Sequence, residues 1–218
     1  MPRSSRLLVL IGLAGLLGLV VAYAVLGYVR STRQERGIAT HAAEIFRSPR
    51  SFVVGNPQGD VSVVAFLDYN CPYCRQGAPD LARLIETDGK VRLVLKELPV
   101  LGKDSEEAAR IALAATAQGK YFELHQRLFA EPGRATKDKA LRIAGELGLD
   151  VGRLERDMDD PAITTALLEN TRLARDIGVR GVPFYLVGDR VLGEGKDLYG
   201  QLAQKVADIR ENGCRAAC

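Results

Sequence analysis

The pattern of hydrophobic and polar positions separates an apolar N-terminal stretch from a body with alternating strand and helix periodicities. Residues 7–29, LLVLIGLAGLLGLVVAYAVLGYV, contain no charged side chain. As a helix they would span roughly 35 Å, enough to cross the ~30 Å hydrocarbon core of a bilayer. We therefore predict that residues 1–29 form a signal anchor with a transmembrane helix. A cleaved signal peptide is the alternative, because AYA at residues 22–24 has the small-x-small pattern of a cleavage site.

The positions that follow predict a tether, three strands and a helix. Residues 30–50 are polar and charged and are expected to form the tether, with a short helical pattern at 42–46. Apolar runs rich in β-branched residues predict strands at 51–54, 61–67 and 91–95. Between the second and third strands, residues 79–87 carry apolar side chains at helical spacing.

A long helical region separates the third strand from a hairpin. Apolar residues at helical spacing predict helices that begin at Asp104, Thr136 and Asp160. Glu107 is expected to complete a cap with Asp104, and Pro161 suits the first turn of the last of these helices. A hairpin that turns at residues 188–189 and a final helix over 198–209 follow.

This order of elements predicts an α/β fold in which helices interrupt a small sheet. We predict a domain that contains the sheet and is built from two parts of the chain, with a helical insertion between them and a tail that carries cysteines. The predicted boundaries are 1–29 for the anchor, 30–50 for the tether, 51–102 and 177–212 for the sheet domain, 103–176 for the insertion and 213–218 for the tail.

The composition narrows the possible chemistry. The chain carries 30 basic and 27 acidic residues, and Arg3 and Arg6 precede the apolar stretch, so the body is nearly neutral. This balance does not provide the basic face that a nucleic-acid-binding protein needs. Only two histidines, His41 and His125, leave little room for a multi-histidine metal site. A chain of 218 residues can form a core without disulfides, so its four cysteines need another explanation.

Two cysteines separated by two residues directly follow the second predicted strand. If Asn70 ends that strand and Cys71 is the N-cap of a helix, Pro72 takes the first helical position, where a proline loses no hydrogen bond. The free N–H groups of Tyr73 and Cys74, together with the helix dipole, then favour the thiolate form of the preceding cysteine. We therefore expect Cys71 to exchange disulfides with a substrate. Cys74, one turn further into the helix and less exposed, would resolve the mixed disulfide.

The spacing of these cysteines alone leaves other interpretations open. Two cysteines at this spacing can be half of a zinc site, for which Cys214 and Cys218 would have to supply further ligands. A purely structural disulfide is less favoured, because so short a loop constrains the unfolded chain little. The tail cysteines themselves are predicted to be idle thiols or a tail disulfide rather than a second redox pair.

Three segments in the same order resemble the DsbA family of the thioredoxin superfamily. FLDYNCPYC at 66–74 resembles its active-site segment, LVLKELPVLGKDSEEAA at 93–109 its next strand and helix start, and RGVPFYLV at 180–187 its cis-proline loop. The resemblance implies a thioredoxin-like fold with an inserted helical domain, here preceded by the transmembrane helix. It also implies a redox-active Cys71–Cys74 disulfide and a cis Val182–Pro183 bond.

The resemblance assigns further roles around the two cysteines. The residues expected to tune the reactivity of Cys71 are Pro72, Tyr73 and Lys96. Val182, beside Pro183, is expected to pair with an extended substrate strand. Tyr73 replaces a histidine of the family's namesake, and Ala65 stands where relatives often carry a buried acid, so we expect a milder oxidant than the namesake.

The function implied by the resemblance is the introduction of disulfides into exported proteins by a domain anchored to the bacterial inner membrane and facing the periplasm. A DsbB-like quinone-linked membrane protein would reoxidise the enzyme. The alternatives are a disulfide reductase or isomerase served by a DsbD-like reductant, and a metal-handling module on a thioredoxin-like scaffold. A cleaved N-terminal segment would leave a soluble periplasmic protein. Neither a cofactor, a resident metal nor a nucleic-acid partner is expected.

Overall fold

The computed structural model of the chain describes residues 3–193, 195 and 197–214, with side chains from residue 13 onward except residue 14. Within these residues a five-stranded sheet lies at the centre of the fold, in the order β1-β3-β2-β4-β5. The strands are β1 Phe52–Gly55, β2 Val61–Leu67, β3 Val91–Glu97, β4 Phe184–Val187 and β5 Arg190–Val191. β2 and β3 run parallel to each other, and the other neighbouring pairs are antiparallel.

The two central strands are buried on both faces, which explains their nearly continuous apolar sequences. In β2 every residue except Ser62 is fully buried, and in β3 every residue except Arg92. Parallel strands that are covered by helices on both sides have this composition. The strand predicted at 61–67 is confirmed, and the strand predicted at 91–95 continues for two more residues, Lys96 and Glu97.

Helices cover both faces of the sheet and precede it at the N-terminus. The helices of the described chain are α1 Arg3–Thr40, α2 Ala42–Arg47, α3 Pro72–Thr87, α4 Lys103–Ala114, α5 Tyr121–Ala130, α6 Lys137–Glu146, α7 Val151–Asp157, α8 Pro161–Asp176 and α9 Leu198–Asn212. A short 3-10 turn, Ala115–Gln118, joins α4 to α5. The chain from α4 to α8 therefore places helices between β3 and β4, and one of them, α7, was not among the predicted helices.

Two of the predicted helix starts carry side-chain caps. The Thr136 hydroxyl accepts a hydrogen bond from the backbone N–H of Lys139 at 3.3 Å. The Asp160 carboxylate accepts one from the N–H of Ala162 at 2.7 Å, and Pro161 occupies the first turn of α8. Each cap satisfies a backbone donor that has no partner within its own helix, so α6 and α8 begin where the sequence placed them.

The predicted cap at Asp104 is wrong. α4 begins at Lys103, its N-cap is Gly102, and no side chain caps it. Gly102 has a φ of 99°, a backbone conformation that side chains other than glycine's rarely permit. The chain therefore turns into the helix earlier than the side-chain pattern indicated. Asp104 instead pairs with Arg134 at 2.8 Å, which ties the first turn of α4 to the loop before α6.

The sheet separates two hydrophobic cores. The face that carries Val63, Ala65 and Leu67 packs against α3, α4, α5, α6 and α9, and both Cys71 and Cys74 lie in this first core. The opposite face forms the second core with α1, α2 and α8. Its buried residues from those helices include Ile38, Ile45, Phe46, Leu173 and Ile177.

α1 is one continuous helix that leaves the hydrophobic stretch and docks on the sheet domain. Its residues Gly15–Thr40 are long and apolar enough to cross a membrane, and none of the apolar window is buried. Near its end, Gln34 donates a hydrogen bond to the Ile177 carbonyl at 3.1 Å. A Cβ atom at Gly37 would lie 2.8 Å from the Asp176 carbonyl oxygen, so a glycine permits this close contact with the end of α8. The segment expected to act as a tether thus also supplies side chains to the second core.

Lys96 is buried in the second core, with 2% of its surface exposed. Its ammonium group donates hydrogen bonds to the Glu44 carbonyl and to the Ser51 hydroxyl, both at 2.7 Å. Burial lowers the pKa of Lys96 to about 8, and the charge of Arg92 acts in the same direction. The negative charges of Glu169 and Glu44 oppose this change only partly. The folded chain therefore holds a lysine that loses its proton more readily than an exposed one.

We predict that Lys96→Met removes a pH dependence of stability. Because the pKa of Lys96 is lower in the folded state, the unfolded chain binds more protons from about pH 8 to about pH 10. The free energy of unfolding of the wild type should therefore rise with pH, relative to Lys96→Met, by up to about 1.4 kcal/mol per pH unit in this window. Urea unfolding in mild detergent, followed by circular dichroism, measures the difference.

The control for this prediction is Lys103→Met, because the Lys103 side chain is exposed. It should show the pH dependence of the wild type. Parallel stability curves for the wild type and Lys96→Met would contradict a depressed pKa at the buried lysine.

Candidate active site

Cys71 lies at the junction between β2 and α3, as its N-cap. Its backbone is extended, with φ −81° and ψ 119°, and Pro72 follows in the first turn of the helix. The backbone N–H of Cys74 donates a hydrogen bond to the Cys71 sulfur at 3.4 Å. The predicted N-cap geometry is therefore confirmed. A backbone donor at a helix N-terminus stabilises negative charge on the sulfur that it contacts.

The two sulfurs occupy different environments. Both cysteines are free thiols; Cys71 is 4% exposed and Cys74 is 0% exposed. Burial raises the pKa of Cys74 far above that of an ordinary cysteine, and the nearby charges of Cys71 and Asp68 add to the shift. A hydrogen bond from the Asp68 backbone acts in the opposite direction. Cys74 therefore stays protonated at neutral pH, and Cys71 is the more exposed of the two sulfurs.

The loop before β4 lies against Cys71. The Val182–Pro183 peptide bond is cis, as the resemblance implied. The Cys71 thiol donates a hydrogen bond to the Val182 carbonyl oxygen at 3.3 Å. The structure thus brings together four of the predicted site residues, Cys71, Cys74, Val182 and Pro183. Tyr73, which lies between the two cysteines, is exposed.

Asp68 fixes the segment before Cys71. Its buried carboxylate accepts backbone hydrogen bonds from Asn70 at 2.8 Å, from Val100 at 2.8 Å and from Leu101 at 3.0 Å. One carboxylate oxygen accepts the hydrogen bond from the turn that leads to Cys71. The other oxygen accepts the two hydrogen bonds from the loop between β3 and α4. The sequence showed Asp68 near the motif, but its two distant partners depend on the parallel pairing of β2 with β3.

A buried polar cluster beside the active-site segment was not predicted. Tyr69 and Tyr121 donate hydrogen bonds to the same Glu97 oxygen, at 2.6 Å and 2.5 Å. Tyr69 also lies 2.8 Å from the Nδ1 atom of His125. Burial and the Glu97 charge raise the pKa of both tyrosines well above its ordinary value, so both remain donors. The only sequence signal was an acidic residue at the end of an apolar strand.

Arg75, directly after Cys74, anchors the start of α3 to the end of α5. Its guanidinium donates to the carbonyl oxygens of Phe129 at 2.5 Å, Gly133 at 3.0 Å and Tyr69 at 3.3 Å, and also to that of Glu131. Carbonyl groups at a helix C-terminus lack partners within the helix, and a cation satisfies several of them at once. No pattern in the sequence indicated this role.

The structure does not bring Lys96 to the cysteines. Its strand neighbour is Phe66, and both face the second core, whereas Cys71 and Cys74 lie in the first. The expected approach of Lys96 to the active site is therefore corrected, because the strand alternation directs its ammonium group to Glu44 and Ser51.

Cys214 is not one of the thiols of this site. Cys214 is disulfide-bonded, and Cys218 lies outside the described residues. Among the described residues, no group of three or more His, Cys, Asp or Glu side chains is arranged to hold a metal ion. The geometry at the start of α3 therefore consists of a pair of thiols, a cis-proline loop and the backbone donors of a helix.

The family model of the DSBA-like thioredoxin domain matches residues 62–207, about two thirds of the chain. The chain belongs to this family. A thioredoxin-like oxidoreductase from Silicibacter pomeroyi DSS-3 has a TM-score of 0.74 at 43% identity, over 78% of this chain and 97% of that one. The thiol–disulfide exchange protein α-DsbA2 from Wolbachia pipientis has a TM-score of 0.76 at 30% identity, over 83% and 98%. The predicted family, fold and enzyme class are thereby confirmed.

Relatives of this DSBA-like chain include longer proteins. The Na(+)/H(+) antiporter NhaA 3 of Salinispora tropica is 31% identical over 65% of this chain, but the match covers 22% of the antiporter. The chain thus spans about a fifth of the length of the antiporters that it matches. A probable disulfide bond formation protein D from Bacillus cereus is 29% identical, over 64% of this chain and 71% of that one.

We predict that Asp68→Asn destabilises the chain by about 2–3 kcal/mol. An asparagine keeps one acceptor oxygen but turns an NH₂ group towards backbone donors, so at least one buried N–H group loses its partner. Urea unfolding in mild detergent measures the loss. The control is Asp159→Asn at an exposed position, which should change stability by less than about 0.5 kcal/mol. Equal stability of the two variants would contradict the structural role of Asp68.

Proposed function

We propose that the chain is a membrane-anchored protein thiol–disulfide oxidoreductase that introduces disulfides into exported proteins through Cys71 and Cys74. The observation that carries the proposal is the unequal pair of sulfurs at the start of α3. Cys71 is the more exposed and accepts a backbone N–H, whereas Cys74 is fully buried and held as a thiol. A pair of this kind lets one sulfur exchange with a substrate while the other closes or opens the enzyme's own disulfide.

The exchange has two steps when the enzyme begins as the Cys71–Cys74 disulfide. A substrate thiolate attacks the Cys71 sulfur; a substrate–Cys71 bond forms, the Cys71–Cys74 bond breaks, and Cys74 leaves with the electron pair and takes up a proton. The second substrate thiolate then attacks the substrate sulfur of the mixed disulfide and releases Cys71. Two electrons pass from substrate to enzyme; the two substrate thiols give up their protons to solvent, Cys74 takes up one proton, and Cys71 is released as a thiolate.

The cis-proline loop supports the binding of an extended substrate. The Val182 carbonyl lies 3.3 Å from the Cys71 sulfur, so a peptide that pairs with the backbone of Val182 would place its own sulfur beside Cys71. Backbone pairing of this kind depends little on side chains, which suits an enzyme that acts on many exported proteins. The exposed Tyr73, in the first turn of α3, and the exposed Val100 and Leu101, whose backbone N–H groups bind Asp68, add apolar contact area.

The direction of electron flow depends on how strongly the reduced site is stabilised. The N–H of Cys74 at the Cys71 sulfur favours the thiolate and hence an oxidising disulfide. The bond from the Cys71 thiol to the Val182 carbonyl favours the thiol instead and is the specific observation for the alternative, a reductase or isomerase. Tyr73, in place of a histidine, also points to an oxidant milder than DsbA.

The proposed location follows from α1. Its segment Gly15–Thr40 contains an apolar window long enough to span a membrane, and the helix continues directly into the second core. A catalytic domain held in this way in the periplasm would meet exported chains close to the inner membrane. The antiporters that carry a similar segment are consistent with a domain that works at a membrane. A DsbB-like quinone-linked protein is the proposed oxidant of the pair; a DsbD-like reductant would replace it in the alternative.

We predict a reduction potential above about −200 mV for the Cys71–Cys74 pair, between the values of about −120 mV for DsbA and about −270 mV for thioredoxin. Equilibration of the detergent-solubilised chain with glutathione buffers, followed by alkylation and mass measurement, gives this value. The Cys214→Ser/Cys218→Ser variant is the background, because it confines the titration to the active-site pair.

A potential near that of thioredoxin would contradict the oxidase direction and favour the reductase alternative. The third possibility, a metal-handling module, predicts one equivalent of zinc or copper in protein purified without a chelator. Less than a tenth of an equivalent, together with normal reduction of insulin by the pair, would exclude it.

A further inference from the structure

Tyr185 places a buried hydroxyl group in the core that holds the two cysteines. The residue lies on β4, is 7% exposed and belongs to the first core. Its hydroxyl has no hydrogen-bond partner among the described residues. Burying a hydroxyl without a partner costs free energy, so a phenylalanine here would fill the space at a lower cost. The hydroxyl therefore calls for an explanation beyond packing.

The strand register directs Tyr185 towards the helix that carries the cysteines. Tyr185 pairs with Ala65 of β2, and the small alanine leaves room on that face of the sheet. A Cβ atom built on Gly77 of α3 would lie 2.6 Å from the Tyr185 hydroxyl oxygen. Gly77 is three residues after Cys74, so both lie on the same face of α3. The absence of a side chain at Gly77 thus admits the hydroxyl beside the turn that begins with Cys74.

The surroundings of the Tyr185 hydroxyl favour its protonated form. Burial is the main cause that raises the pKa of Tyr185 far above its ordinary value, followed by the negative charges of Cys74, Cys71 and Asp80 in that order. A protonated phenol offers an O–H donor. Its strongest acceptor would be an ionised sulfur, since hydrogen bonds to charged groups are roughly twice as strong as neutral ones.

We propose that the Tyr185 hydroxyl donates a hydrogen bond to the sulfur of Cys74 whenever that sulfur carries negative charge during disulfide exchange. The inference rests on the proposed exchange function and adds a residue to it. Cys74 has to ionise in a site whose burial opposes ionisation, and the otherwise unpartnered hydroxyl offsets part of that cost. The tyrosine keeps its proton throughout.

The step in which this bond acts is the attack of Cys74 on a mixed disulfide at Cys71. The Cys74 thiol gives its proton to a solvent base, and the thiolate attacks the Cys71 sulfur. The Cys71–Cys74 bond forms, the bond from Cys71 to the substrate sulfur breaks, and the electron pair leaves on the substrate sulfur, which takes up a proton. In the opposite direction the same hydrogen bond stabilises Cys74 as it leaves.

Stopped-flow reaction of the reduced chain with Ellman's reagent separates the two cysteines. The experiment uses the full chain in mild detergent, in the Cys214→Ser/Cys218→Ser background. Attack by Cys71 releases the first thionitrobenzoate, and attack by Cys74 on the resulting mixed disulfide releases the second. We expect Tyr185→Phe to keep the rate of the first release within about twofold and to slow the second about tenfold.

The matched control is Tyr199→Phe, which also removes a tyrosine hydroxyl, but one that lies 3.2 Å from the Thr87 hydroxyl at the C-terminal end of α3. It should leave both releases unchanged. Tyr185→Phe should melt at or above the wild-type temperature, because it removes an unpartnered polar group. If it fails to fold, Tyr185→Met supplies a flexible side chain without a hydroxyl and carries the same expectation for the second release.

An unchanged second release in a folded Tyr185→Phe or Tyr185→Met variant would overturn the role of the hydroxyl. A wild-type chain that shows no second release, and thus behaves like Cys74→Ser, would instead overturn the proposed exchange function. Slowing of both releases to the same extent would also contradict the proposal, since it would indicate a general change of the site rather than an effect on Cys74.

Discussion

The backbone N–H of Cys74 donates a hydrogen bond to the sulfur of Cys71 and so links the two active-site cysteines. This bond forms only because α3 begins directly after Cys71. β2 ends at Leu67, the Asp68 carboxylate holds the turn, and Pro72 starts the helix. The same helix start carries Cys74 inward, where it is fully buried. One local geometry therefore gives the two sulfurs opposite properties, which disulfide exchange requires.

Buried and half-buried charged groups around this junction hold it in place through different hydrogen bonds. Asp68 links the turn before Cys71 to the loop after β3, Glu97 gathers Tyr69 and Tyr121, and Arg75 binds the carbonyl end of α5. Each is a charged group whose partners are backbone groups or hydroxyls, so its burial is compensated. On the other face of the sheet, the end of α1 is part of the second core, so the apolar helix is joined to the catalytic domain without a break.

Local signals in the sequence predicted the elements that depend on neighbouring residues. The strand at 61–67, the caps at Thr136 and Asp160 and the N-cap geometry at Cys71 all follow from a few adjacent side chains. The direction of Lys96 was not predictable in this way, because it depends on which helices cover each face of the sheet. The partners of Glu97 lie 24 and 28 residues away, and Tyr185 meets Gly77 only through the register of β4 with β2. Contacts of this range are set by topology rather than by local pattern.

The central claim, that the start of α3 makes Cys71 reactive and keeps Cys74 as a buried thiol, is tested most directly by site-resolved alkylation. The fully reduced chain would react with limiting iodoacetamide at neutral pH, and mass spectrometry would locate the label on each cysteine over time. We expect Cys71 to react at least about tenfold faster than Cys74, because only thiolates react at an appreciable rate. Labelling of Cys74 at a rate equal to or above that of Cys71 would contradict the account.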